Sequence, residues 1–194
     1  MNTTTKTLTI GGALLAALLV TTVQCASHAD ATRRAAGENA FATVYAVLQH
    51  PRCRNCHPAG RVPLQGDDGR PHGQNVQGGD DGLGLFAMRC ANCHFAQNGA
   101  GPNLPPGAPG WHLPKGDMPL VFQGRTPAQL AAQLADRAQN GGRSLDDVLH
   151  HVTSDPLVLW GWNPGPGRAP VPLPHAEFVA AMRTWIDAGC PLPE

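Results

Sequence analysis

Aromatic side chains are scarce in this sequence: five Phe, four Trp and a single Tyr among 194 residues. A core built from polypeptide alone would be thin at this length, so a large all-protein interior is not expected. Charge is sparse as well. Fourteen basic and fourteen acidic residues give a formal net charge of zero. That excludes a basic face for nucleic acid and a single-sign field that selects partners at long range. Long apolar runs are missing too. The one extended apolar stretch, Leu8 to Val20, is shorter than the roughly 20 residues a membrane span needs. No stretch alternates apolar and polar residues long enough to predict a strand, which excludes a sandwich or barrel. Neither a paired-carboxylate site nor a nucleophilic triad is legible.

Glycine (23) and proline (19) are abundant, together more than a fifth of the chain. Four of the six cysteines fall into two stretches, Cys53-Arg54-Asn55-Cys56-His57 and Cys90-Ala91-Asn92-Cys93-His94. Each reads C-x-x-C-H, the attachment pattern of c-type haem. Two thiols add across the two vinyl groups of one porphyrin, and the histidine ligates the iron. On a helix, positions i, i+3 and i+4 share a face, so each triplet can converge on one macrocycle. Three other chemistries use C-x-x-C: a redox dithiol, half of a zinc site, and a structural disulfide. A four-thiolate zinc site needs no histidine, and the gap between the pairs exceeds zinc-ribbon spacing. A disulfide leaves both histidines unexplained. The reading is therefore two covalent haem c groups. Each supplies a large apolar body that Gly- and Pro-rich loops can wrap.

The N-terminus supports this. Met1 to Lys6 is weakly basic, the apolar run follows, and Ser27-His28-Ala29 offers small residues at signal-peptidase positions. Residues 1–29 read as a cleaved secretory signal and residues 30–194 as one dihaem domain. Alternatives are an uncleaved membrane anchor on the periplasmic side, or a lipid on Cys25. In bacteria c-type haem is attached outside the cytoplasm, so signal and motif agree on a periplasmic location. Losing the signal removes one lysine and no acid, leaving one more acid than base. Cys190 remains single, a small helix-end residue or an intermolecular disulfide partner.

The fold class is mostly α, cytochrome c-like, with short helices and long loops. Residues 30–37 are a polar lead. Phe41, Val44, Tyr45 and Leu48 form a helical stripe over Glu38 to His50, closed by Pro51. A second short helix is predicted over Leu83 to Cys93. Thr126-Pro127 starts a third, stopped by Gly141-Gly142, and Ser144 caps a fourth to about Val152. Asp155 to Pro174 is a loop. The last helix runs from His175 to Ala188, with Phe178, Ala181, Met182 and Trp185 on one face and Gly189 as the stop. One interlocked unit, its terminal helices packed together, is preferred over two beads.

A strong sixth ligand makes each iron an electron carrier, and an open position makes it a site for small molecules. Candidates are His72, in the loop after the first motif, and His112, in the loop after the second. His151 is the alternative to His112; His150 points to another face. His50 and His175 read as helix-end residues.

Met118-Pro119, followed by a capped helix, resembles the distal methionine segment of class I cytochromes c. Gly101-Pro102-Asn103-Leu104 resembles the segment of that family whose proline carbonyl accepts from the proximal histidine. The resemblance implies Met118 as the ligand opposite His94. The whole arrangement resembles a small exported dihaem cytochrome c of proteobacteria. His57-Pro58-Ala59-Gly60, Asn140-Gly141-Gly142-Arg143 and Leu157-Val158-Leu159-Trp160-Gly161-Trp162 are together similar to cytochrome-like proteins named as isoquinoline 1-oxidoreductase subunits. That implies an electron carrier and no enzyme. Its redox partners would be a dehydrogenase donor, such as a molybdenum hydroxylase, and a cytochrome or oxidase acceptor. No molybdopterin or iron–sulfur site is legible. The competing readings are a small haem peroxidase with one open iron and a haem-based sensor.

Overall fold

The computed structural model describes residues 11–102, 104–118 and 120–193, with side chains from His28 onward. Residues 1–10, which begin the expected signal, and Asn103, Pro119 and Glu194 lie outside it, as does the side chain of Cys25.

The protein is mostly helical. Helix α1 runs Gly11–Leu48, well beyond the expected stripe. The polar lead is helical because it is alanine-rich and carries pairs at helical spacing, Asp30–Arg33 at 2.7 Å and Arg34–Glu38 at 2.8 Å. Only its later part is packed: Gly37, Phe41, Val44 and Leu48 are buried, while residues 28–36 are exposed. Cleavage after Ala29 would therefore remove none of the packing residues described. Among the described residues no helix is long and apolar enough to cross a membrane.

The chain turns at His50, whose Nδ1 accepts from the Arg52 amide, into the one-turn helix α2, Pro51–Arg54. After a long loop come α3 (Pro127–Ala135), α4 (Leu145–Ser154), α5 (Pro156–Leu159) and α6 (His175–Asp187). Thr126 and Ser144 each form a full capping box, with Gln129 and Asp147. Helix α3 ends at Ala135, six residues before the expected glycine stop. The 155–174 segment holds α5 and a 3-10 turn, Trp160–Trp162, because Asp155 caps a proline-started turn through the Leu157 amide.

Helix α6 packs along α1. Phe178, Met182 and Trp185 are buried at i, i+4 and i+7, and Trp185 meets Phe41 at 4.9 Å between ring centroids. A Cβ on Gly37 would lie 2.5 Å from the Ala188 Cβ, so only glycine lets the helices approach there. The end of α6 is a Schellman turn: Gly189 (φ +85°) donates to Ile186 and Cys190 to Trp185.

Two expectations fail between residues 58 and 93. Strands are present: β1 (Leu64–Gln65) pairs antiparallel with β2 (Arg70–Pro71), and β3 (Gly84–Leu85) with β4 (Met88–Arg89). The second ribbon replaces the predicted helix over 83–93. Gly82 and Gly84 adopt φ of +77° and +92°, which a right-handed helix cannot contain. Only Cys90–Asn92 forms a 3-10 turn there.

Candidate functional site

The first motif grows out of α2. Cys56 N–H donates to the Cys53 carbonyl at 3.2 Å and His57 N–H to Arg54 at 3.0 Å, continuing the helical turn through the motif. His57 Nδ1 donates to the Leu120 carbonyl at 2.6 Å, and its ring lies on Phe122, 3.8 Å between centroids and 14° from parallel. The His57 carbonyl accepts from the Phe122 and Gln123 amides. The imidazole is thus clamped through Nδ1, and among the described residues its Nε2 has no hydrogen-bond partner.

Cys53, Cys56 and His57 open onto a cavity of about 560 Å³, within the roughly 300–1,000 Å³ of small-molecule and cofactor sites. Its walls come from every major helix: Leu48 of α1, Leu134 of α3, Val148 and Val152 of α4, Phe178 and Met182 of α6. What remains exposed of Cys53 and Cys56 faces this apolar space. Desolvation there pushes their thiols up to about 12 and about 11. A redox dithiol works through a lowered thiol pKa, so that alternative fits poorly. Burial drives His57 down to about 4, against the pull of its bond to Leu120, which keeps the ring neutral and ligand-ready.

Three of the four sixth-ligand candidates line this one cavity: His112, Met118 and His151. Met118, which the resemblance places opposite His94, lines the cavity of His57, as does His112. His151 is half-buried on α4, its Nδ1 3.1 Å from Asp155 Oδ2. Burial, then the charge of Arg143, lowers its pKa. His112 is exposed, its Nδ1 bonded to the Gly110 carbonyl. His150 is exposed beside Ser154, His50 caps α2, and His175 opens α6 with Nε2 on the Val152 carbonyl.

The second motif is open. Cys90 is half-buried and Cys93 exposed. His94 N–H donates to Cys90 at 2.9 Å, and Nδ1 to the carbonyl of Pro106 at 2.8 Å. A proline carbonyl does serve this histidine, but four residues beyond the expected Pro102. The His94 ring stacks on Trp111, 4.5 Å away and 3° from parallel. Burial lowers its pKa. His72 stands 6.2 Å from it between ring centroids. Around the motif Leu83, Leu85, Phe86, Met88, Phe95 and Leu104 are exposed, Phe86 at 94%. Six exposed large apolar side chains within the 22 residues from Leu83 to Leu104 are more than scattered surface positions and suit a covering body.

An aromatic line joins the two places. Trp111 meets Trp160 edge-on at 5.0 Å, and Trp160, held by Asn98 through Nε1, lines the first cavity. The sequence marks both tryptophans, whereas Phe122 and the Leu120 and Pro106 carbonyls carry no sequence signal. Arg52 is buried against Trp160 and bound to Asp67 and Gly66, yet its Nε has no partner.

Among the described residues, no three His, Cys, Asp or Glu side chains gather as a metal-binding group. No family model matches the chain, and neither the curated proteins nor the solved structures hold a match.

Proposed function

We propose that the chain is an exported electron-transfer protein holding two covalent haem c groups, and that it performs no bond-making on substrate itself. One observation carries the reading. In both C-x-x-C-H stretches the histidine gives Nδ1 to a main-chain carbonyl and lies flat on an aromatic ring, leaving Nε2 without a hydrogen-bond partner among the described residues, in a stretch that also carries two thiols. A neutral imidazole with its outer nitrogen fixed is the arrangement of a metal-ligating histidine. Two independent stretches with the same arrangement argue against coincidence.

Bound haem would supply a reversible one-electron couple at each site. The chain's own residues do the rest. Cys53 and Cys56 anchor at the first site and Cys90 and Cys93 at the second, while His57 and His94 are the proximal ligands. The apolar part of the first cavity's wall would pack against the porphyrin. The unpaired, buried Nε of Arg52 on that wall suits a propionate carboxylate. Trp111 and Trp160 bridge the sites. A dehydrogenase, such as a molybdenum hydroxylase, is the proposed donor and a respiratory cytochrome or oxidase the acceptor, both outside the cytoplasm.

The test is production in a host that attaches haem c. The expected product is red, its intact mass exceeding the mature polypeptide by two haems, with residues 53–93 free of titratable thiol. Colourless protein with four reactive thiols in that span would end the proposal.

A further inference from the structure

We propose that His72 is the sixth ligand of the iron held by His94, so that the loop following the first motif closes the second site. The inference rests on the dihaem reading and adds its distal chemistry.

The spacing of the two rings carries it. Their centroids are 6.2 Å apart and their planes 66° from parallel. A five-membered ring with bonds of about 1.33 Å has a radius of about 1.1 Å. Metal–imidazole bonds are about 2.0–2.1 Å. Two rings on opposite sides of one metal therefore stand about 6.2–6.4 Å apart, centre to centre. Two imidazoles in direct edge contact also fall within about 4.5–7 Å, so nitrogen usage matters as much as distance. His94 gives Nδ1 to Pro106 and His72 gives Nδ1 to the Gly73 carbonyl at 2.9 Å. Both rings are thereby left with Nε2 as the nitrogen without a protein partner among the described residues. Haem there would offer a surface to the apolar side chains exposed in the sequence flanking the second motif.

His72 is also held in place. It follows β2 directly, and its N–H donates to the Pro63 carbonyl at 2.9 Å. The turn of that ribbon is fastened to α2, where Arg52 binds Asp67 and Asn55 donates to Gly66 at 2.8 Å. Just beyond His72, Gln74 and Asn75 adopt φ of +62° and +52°, a left-handed conformation that Asn enters readily and Gln rarely. The first motif thus positions the ribbon that serves the second.

The experiment compares haem-loaded wild type with His72→Ala and His72→Met, by electron paramagnetic resonance of the oxidised protein and carbon monoxide titration of the reduced protein. In His72→Ala one low-spin ferric signal should give way to a high-spin one, carbon monoxide uptake should rise by one per chain, and added imidazole should reverse both. His72→Met should raise the potential of one haem and bring a methionine charge-transfer band; it carries the test if the alanine variant does not accumulate. In protein bearing Cys90→Ala and Cys93→Ala, which keeps only the first haem, the His72 substitutions should be silent. Unchanged spin state and gas uptake in His72→Ala, or an unchanged spectrum and potential in His72→Met, overturns the ligand assignment. Wild type without covalent haem overturns the reading beneath it, before any substitution is made.

Discussion

Asn140 is 1% exposed, and replacing it should be among the most damaging polar substitutions in the chain. Its Nδ2 donates to the Leu134 carbonyl at 2.8 Å and to Arg143 at 3.1 Å, and its Oδ1 accepts from the Arg143 amide at 2.8 Å. Leu134 lies in the last turn of α3, where carbonyls have no helical partner. Asn140 therefore caps α3 and ties it to the start of α4, across the wall of the first cavity. Truncation to alanine strands a buried carbonyl, at about 1–3 kcal/mol, and removes two further bonds of about 1 kcal/mol each, partly replaced by water at half-buried Arg143. A net loss of about 3 kcal/mol follows, which lowers Tm by about 6–12 °C for a domain of this size. Asn140→Asp sharpens the test. It keeps the acceptor, loses the donor, and sets a carboxylate against two carbonyls. Burial holds that carboxyl above its ordinary value of about 3.9. The folded state then binds the extra proton, so the variant's penalty is smallest in acid and grows as pH rises past the unfolded value. Thermal and urea unfolding of the haem-loaded protein at neutral and acid pH measures both. A loss under about 0.5 kcal/mol for Asn140→Ala, the level of an ordinary surface change, refutes the capping argument. So does an Asn140→Asp variant no worse at neutral pH than in acid.

Gly37→Ala should cost about 1–3 kcal/mol by overpacking, since the new methyl would meet Ala188 and Pro191 at 2.5 and 2.7 Å; an unchanged melting curve would mean that α1 and α6 do not approach so closely. Ser144→Ala should lower Tm by about 2–4 °C through loss of the α4 cap. Because hydrogen bonds from Ser144 hold Asp147 below its ordinary value of 3.8, that part of the stability exists above 3.8 and is lost as pH falls through the lower, folded value. The difference between wild type and Ser144→Ala should therefore shrink in acid, and a difference that widens there contradicts the assignment.

What was legible in the sequence divides along physical lines. Helices with a chemical start signal were read closely: Thr126-Pro127 and Ser144 mark α3 and α4, and Gly189 marks the end of α6. These signals are local, a side chain bonding an amide three residues away. The α1–α6 pairing followed from two apolar stripes that each need a partner. Over 83–93 the expected helix does not form: its apolar residues, Leu83, Leu85, Phe86 and Met88, follow neither period cleanly and are exposed, so no buried face organises them. Gly82 and Gly84 decide the matter through positive φ. The thiols and histidines proposed to anchor and ligate haem are visible as a motif. Which loop reaches which motif is not, because that depends on main-chain acceptors such as Leu120 and Pro106, which no side-chain pattern records. The resemblance points Met118 at the second motif, whereas tertiary packing sets it, with His112, in the cavity of the first.

If the first cavity holds the proposed haem, packing also bears on the three candidates that share it with His57. A sixth ligand has to hold one position through repeated changes of charge on the metal, so its support matters more than its proximity. Met118 sits on a turn closed by its own amide to Lys115 at 3.1 Å, and His112 is exposed on a loop. His151 rides on α4 between buried Val148 and Val152, its cap fixed by Ser144, and Asp155 holds its Nδ1 one turn on. A carboxylate on the outer nitrogen fixes the ring and raises its basicity as a ligand. His151 is thus the expected partner of His57, and wild type should lack a methionine charge-transfer band. His151→Met should create one and raise that haem's potential. Asp155→Asn should raise the potential without the band, because the weakened donor favours the reduced iron. A band present in wild type and abolished by Met118→Leu would hand the position to the methionine, and helix support would then not be what selects the ligand.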